Sequence, residues 1–237
     1  MGKTETAKAL AAIFFGREGQ FLRLDMSEFQ SGDALDRLIG SFATGQTGIL
    51  ADLLREHPYG VLLLDEFEKT DRQVLNLFLQ ILDEGFFSDR RGERVNARNI
   101  LFIATSNAGA EMIWQMVKDG RDPSAESAKI VDRLVTSGVF RPELLNRFDE
   151  VIVFHPLGEK ELKQVAVLQL GRLVARLREQ GIAFNISDAL ITDVVTKGAN
   201  QLFGARPMQR YIQDNIEEKI AQKIISGELV SGATITM

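Results

Sequence analysis

Three short clusters carry the residue types that handle phosphate. Gly2-Lys3-Thr4 stands directly ahead of the helix-forming Glu5-Thr6-Ala7-Lys8-Ala9-Leu10. Gly-Lys-Thr at the mouth of a helix is the tail of the phosphate-binding pattern G-x-x-x-x-G-K-[ST]. Backbone N–H groups at a helix start bind phosphate oxygens, the Lys3 ammonium adds a point charge at the β- and γ-phosphates, and the Thr4 hydroxyl ligates Mg2+. Alone, the tripeptide is equally a solvated first turn. The second cluster is Asp65-Glu66, closing the apolar run Val61–Leu64. Carboxylates there stand at the carboxyl edge of a buried strand, where open α/β sheets bind ligands. Asp65 then holds the Mg2+ shell and Glu66 polarises an attacking water as general base. Strands also end in acids because solvent begins there, but Gly-Lys-Thr in the same chain favours the chemical reading. The third cluster ends the run Ala104-Thr105-Ser106-Asn107. The Asn107 amide either binds the γ-phosphate and orients the water or serves as a turn residue; the residues alone leave both open.

Such clusters need strands and helices to carry them. Four β-like runs stand out: Phe21–Asp25, Gly60–Asp65, Asn99–Thr105 and Glu150–Phe154. Three are continuous apolar runs without alternation, as expected of strands buried on both faces of a parallel sheet. Helical spacing lies between them, with Leu75, Leu79 and Leu82 after the second run and Ile130, Leu134 and Val135 before the fourth. Alternating strands and helices predict an α/β layered domain. After Pro156 the pattern changes. Leu157–Gln180 is a long amphipathic candidate with Leu162, Val165, Leu168, Leu173 and Leu177 toward one side. Ile182–Ile186 and Ala233–Met237 read as short strands, with helices over Asp188–Ala199 and Pro207–Ser226. The boundary near Pro156–Leu157 divides a large α/β domain, residues 1–156, from a small α+β lid, residues 157–237. The polar stretch Lys118–Ser127 reads as a surface loop.

Composition narrows the function classes. The 237 residues, 45% apolar and 26% charged, suffice for a domain and a half with a sizeable core. The longest uninterrupted apolar run, Ala9–Phe15, falls far short of the ~20 residues of a spanning helix. Lys3, Glu5 and Lys8 interrupt any secretory signal. With no Cys, disulfides, thiolate zinc sites and thiol catalysis are excluded. A net charge of -5 argues against a dedicated nucleic-acid surface.

Together, GKTE, LLLDEFEK and ATSNAG resemble the Clp-type AAA+ ATPases, specifically the second ATPase module of the ClpB/ClpA/ClpC unfoldases. RPELLNRFD over residues 141–149, Phe154-His-Pro-Leu157, GARPMQR over residues 204–210 and Leu24-Asp-Met-Ser-Glu28 extend the resemblance along the whole chain. It implies a P-loop AAA+ parallel sheet sandwiched by helices, with the first strand missing from this chain, plus the lid. It implies ATP and Mg2+ as cofactors. Gly2, Lys3 and Thr4 match the surviving half of Walker A, Asp65 and Glu66 match Walker B, and Asn107 matches the sensor-1 residue. Arg147 matches the arginine finger that reaches the nucleotide of the neighbouring subunit, and Arg206 matches the sensor-2 arginine. A guanidinium on the transferring phosphoryl group is worth about 10³–10⁵ in rate. A finger acting in trans implies a homo-oligomeric ring, hexameric by family resemblance, and the family implies a polypeptide substrate, a cytoplasmic setting and neither nucleic acid nor membrane as partner.

Two departures qualify the resemblance. The family's glycine–aromatic–valine–glycine pore loop is replaced by Ser41-Phe-Ala-Thr-Gly-Gln-Thr-Gly48, in which Phe42 is the sole aromatic. Phe42 either packs or projects into a pore, so a nucleotide-gated scaffold that never threads substrate is the competing reading. An echo of the loop of bacterial transcription activators in Phe42-Ala-Thr-Gly is short and out of register. No isoleucine-glycine-leucine or isoleucine-glycine-phenylalanine tripeptide occurs between Asn107 and Arg147, so no peptidase docking is expected. The stretch Phe86–Arg94 is either a second pore-facing loop or a plain turn at Arg91-Gly92. Because Gly2 is already the glycine of Gly-Lys-Thr, the chain is expected to be an excerpt, or a truncation lacking half its phosphate cradle and an interior strand.

Overall fold

The computed structural model describes residues 2–16, 21–199 and 205–236. They form two compact units, one over residues 2–155 and one from Pro156 onward. Met1, Gly204 of the GARPMQR motif and Met237 of the expected last strand lie outside the described residues. Among the described residues, no helix is long and apolar enough to cross a membrane.

The large unit runs α1 (Lys3–Phe15), β1 (Phe21–Asp25), α2 (Ala34–Ile39), α3 (Ile49–Glu56), β2 (Gly60–Asp65), α4 (Arg72–Glu84), β3 (Phe86–Ser88), β4 (Arg94–Asn96), β5 (Ile100–Ala104), α5 (Ala110–Lys118), α6 (Ser127–Thr136) and α7 (Pro142–Leu145). Its sheet is parallel, in the order β1-β2-β5. β2 is buried from Gly60 to Leu64, as its unalternating sequence predicts for a central strand covered on both faces. α1 packs on β2 and buries Ala7 and Ala11, whose small side chains permit close approach. α4 starts where the Asp71 carboxylate accepts the Gln73 N–H at 2.7 Å and stops at Gly85, whose φ of 73° suits glycine. It buries Val74, Leu77, Phe78 and Ile81, while Leu75, Leu79 and Leu82, the stripe picked from spacing, pack at the margin. Phe78 meets Phe67 edge-on at 5.4 Å between ring centroids.

One expected strand does not form. Residues 150–154 have no strand partner, and Ile152 is 70% exposed. An apolar run becomes a strand only where a neighbouring backbone supplies its ladder. Among the described residues, no strand lies on the far side of β5 for this run to pair with.

The small unit contains α8 (Glu159–Glu179), β6 (Ala183–Asn185), α9 (Asp188–Gly198), α10 (Arg206–Ile212), a π-helical turn Gln213–Glu217, α11 (Glu218–Ile225) and β7 (Thr234–Thr236). β6 and β7 pair in parallel. α8 buries Ala166, Leu170, Leu173 and Leu177, so the apolar stripe runs through Ala166 rather than Leu168, which is 67% exposed. Met208, Ile212, Ile216 and Ile220 complete this core along α10 and its continuation. The π turn is why 206–225 is one helical path broken into pieces.

Candidate functional site

The parallel register brings the acids and the amide to one edge. Leu64 pairs with Ala104, and the ladder continues as Thr105 N–H donates to the Leu64 carbonyl at 2.9 Å and Phe67 N–H to the Thr105 carbonyl at 3.0 Å. Asp65, Glu66 and the segment 105–107 therefore leave the sheet side by side. The Asp65 carboxylate accepts from Arg23 Nη2 on β1 at 2.7 Å and from the buried Thr105 hydroxyl. Lys3 Nζ, from the start of α1, donates to Asn107 Oδ1 at 2.7 Å and to the Ser106 carbonyl. Asn107 is itself fixed by its N–H, which donates to Glu68 Oε1 at 3.0 Å.

Glu66 is the sole non-glycine among the described residues with positive φ, at 57°. A left-handed backbone at a bulky residue is a strained state retained where surroundings impose it. Its carboxylate pairs with Lys69 Nζ at 2.5 Å, which raises the Lys69 pKa above its ordinary value, the hydrogen bond to Glu66 being the main cause.

Thus Lys3, Asp65, Glu66 and Asn107 meet at the strand tips. Gly2 caps α1 with φ 93° and Thr4 is half-buried in its first turn. Arg147 follows α7 and lies against Asp83 of α4, its Nε 2.6 Å from Oδ1, a different partner from Asp149 or Glu150 beside it in sequence. Arg206 is an exposed residue opening α10 in the small unit. Arg23, Thr105, Glu68 and Lys69 contact the candidate residues without any motif in the sequence marking them. Lys69 was recoverable as Glu66 plus three; Arg23 and Thr105 follow only from the strand register.

Residues 1–151 match the AAA domain (Cdc48 subfamily), and residues 157–237 match the C-terminal, D2-small domain, of ClpB protein. The chain belongs to the AAA domain family. The AAA module is 41% identical over 239 residues to chaperone protein ClpB 2 of Nostoc sp., covering 99% of this chain and 27% of that protein. It is 42% identical over 233 residues to chaperone protein ClpB of Mycoplasmoides gallisepticum (97% and 31%) and 39% identical over 240 residues to that of Pseudomonas putida (100% and 28%). The chain thus spans roughly a quarter to a third of these relatives and is a ClpB-like second ATPase module. Nucleotide binding goes with the family.

The AAA module carries a second distinctive region. Residues 41–47 form a loop whose base is closed by Ser41 N–H donating to the Gln46 carbonyl at 3.0 Å. A Cβ on Gly48 would stand 2.3 Å from the Leu38 carbonyl oxygen and 2.4 Å from the Gly40 nitrogen, so only glycine fits. Phe42 is 77% exposed on this loop, so it does not pack within the chain. The Phe86–Arg94 stretch is an antiparallel hairpin, β3 with β4, turning at 89–93. That turn is tied to both legs of the Phe42 loop. Arg90 N–H donates to the Ile39 carbonyl at 3.0 Å and Arg90 Nη2 to Asp36 Oδ1 at 2.8 Å, both on α2. Arg55 of α3 donates to buried Asp89 at 2.6 Å and to Glu93 at 3.0 Å. The Arg55 hydrogen bond holds the Asp89 carboxyl below the usual carboxylate range.

Proposed function

We propose that this chain is the ATP-binding and ATP-hydrolysing module of a ring-forming, Clp-like protein remodeller or disaggregase. The observation that carries the reading is the convergence of Asp65, Glu66, Asn107 and Lys3 at the carboxyl edge of parallel strands. Gly2, Lys3 and Thr4 receive the nucleotide phosphates, with Lys3 as their cation. Mg2+ takes hard oxygen donors and keeps most of its water, so it needs one or two protein oxygens rather than a cage of acids. Thr4 and Asp65 fit that need; among the described residues there is no group of three acids or imidazoles to suggest another kind of metal site. Bound there, Mg2+ supplies neutralisation of phosphate charge.

Glu66 takes a proton from the attacking water, Asn107 orients that water or the γ-phosphate, and Asp65 is held in register by Arg23 and Thr105. Arg147 reaches the nucleotide of an adjoining copy and Arg206 that of its own, each a guanidinium for developing charge. Because Arg147 acts in trans, the working form is a homo-oligomer, hexameric by analogy, with polypeptide as substrate in the cytoplasm. Peptidase docking, nucleic acid and membranes have no part in this reading.

Glu66→Gln in the full chain tests it: nucleotide binding persists while hydrolysis collapses, and an unchanged rate removes Glu66 from the mechanism. The second reading, a nucleotide-gated scaffold, is favoured by the missing Tyr-Val-Gly segment. Polypeptide unfolding abolished by Phe42→Ala removes it.

A further inference from the structure

The segment that carries Arg147 is pinned to one side of α4. Arg141 Nη1 donates to Asn76 Oδ1 at 3.1 Å, Leu144 is buried in the core between, and Arg147 Nε meets Asp83 Oδ1 at 2.6 Å. Asn76 and Asp83 stand two helical turns apart, hence on the same side of α4. The last turn of a helix also carries partial negative charge, which favours a guanidinium. The Arg147–Asp83 pair is half-exposed on both sides, so its contribution to folding is small. Its geometry has more to say. A carboxylate seated on Nε holds the guanidinium by its inner nitrogen and leaves the end-on terminal amino pair for another acceptor.

We infer that Asp83 is the positioning residue for Arg147, holding its Nε so that the terminal amino groups face the phosphate oxygens of a nucleotide on an adjoining copy. This rests on the assignment of Arg147 as a finger acting in trans. An unanchored arginine samples many rotamers, and a catalytic group displaced by ~1 Å loses on the order of 10²-fold in rate.

The test measures kcat and KM for ATP hydrolysis, with thermal stability, in the full chain carrying Asp83→Asn, Asp83→Glu, Arg147→Ala and the double change Asp83→Asn/Arg147→Ala. Arg147→Ala is expected to lower kcat by ~10³-fold or more. Asp83→Asn is expected to lower kcat by about 10-fold with KM and melting temperature unchanged, because it misaims rather than removes the finger. Asp83→Glu restores most of the rate, and the double variant is no slower than Arg147→Ala alone, since no finger is left to aim. If Arg147→Ala collapses the rate while Asp83→Asn leaves it intact, or if the two losses multiply, the role of Asp83 is overturned and the finger stands. A normal rate in Arg147→Ala overturns the finger and the inference with it.

Discussion

The strand-tip cluster and the Phe42 loop are two edges of one unit that hold their shapes by opposite means. At the tips, Asp65, Glu66 and Asn107 inherit their positions from the parallel ladder, and their side chains bind Arg23 and Thr105, Lys69, and Lys3 respectively. At the loop, a glycine contact and the pairing of Arg55 with buried Asp89 set the backbone, while Phe42 faces outward without helping to hold it. So chemistry at the tips can be removed without unfolding them. At the loop the anchors belong to the fold, and the exposed residues 42–47 are free of that duty.

Five expected outcomes try that contrast. The largest is Glu66→Gln, which lowers kcat for ATP hydrolysis by ~10²–10⁴ while leaving the melting temperature within a degree or two; a large drop in melting temperature would show the tips depend on their acid. Next, Gly48→Ala forces backbone apart at Leu38 and Gly40 and costs about 3 kcal/mol in chemical denaturation; a wild-type midpoint would mean the loop base yields freely. Arg55→Ala leaves Asp89 without its cation and is expected to cost ~2 kcal/mol by the same measurement.

The fourth concerns acid. Asp89 has a lowered pKa in the folded state, so its stabilisation is present above the ordinary carboxylate value of 3.8 and is lost as pH falls through the depressed value. Thermal unfolding from pH 6 downward should therefore be less steep for Asp89→Asn than for the parent; parallel curves refute the assignment. The smallest is Phe42→Ala, which shifts stability by under ~0.5 kcal/mol. A larger change would place Phe42 among the anchors.

The sequence made the tips readable for a physical reason. A continuous apolar run ending in acids marks both a buried strand and its edge, so β2, Asp65 and Glu66 are visible without a partner in view. Asn107 is ambiguous in sequence because an amide after a strand looks the same as a turn residue until Lys3 stands beside it. The Arg55–Asp89 pair joins residues far apart in sequence, and nothing local in either announces the other. Residues 150–154 fail in the converse way: their composition is strand-like, but the ladder that makes a strand belongs to a neighbour. On α4 and α8, counting leucines found the helices and missed the middle of the buried face, because Val74, Phe78 and Ala166 are the residues nearest the core.

The left-handed backbone at Glu66 sets the interests of the fold against those of the reaction. Glycine would occupy that conformation without strain and relieve roughly 1 kcal/mol. A hunt for heat-resistant variants that never asks for turnover would therefore converge on Glu66→Gly and gain a sturdier, silent protein. On the proposed role of Glu66 as the base, position 66 is where thermostability and activity are traded directly against each other, within one residue.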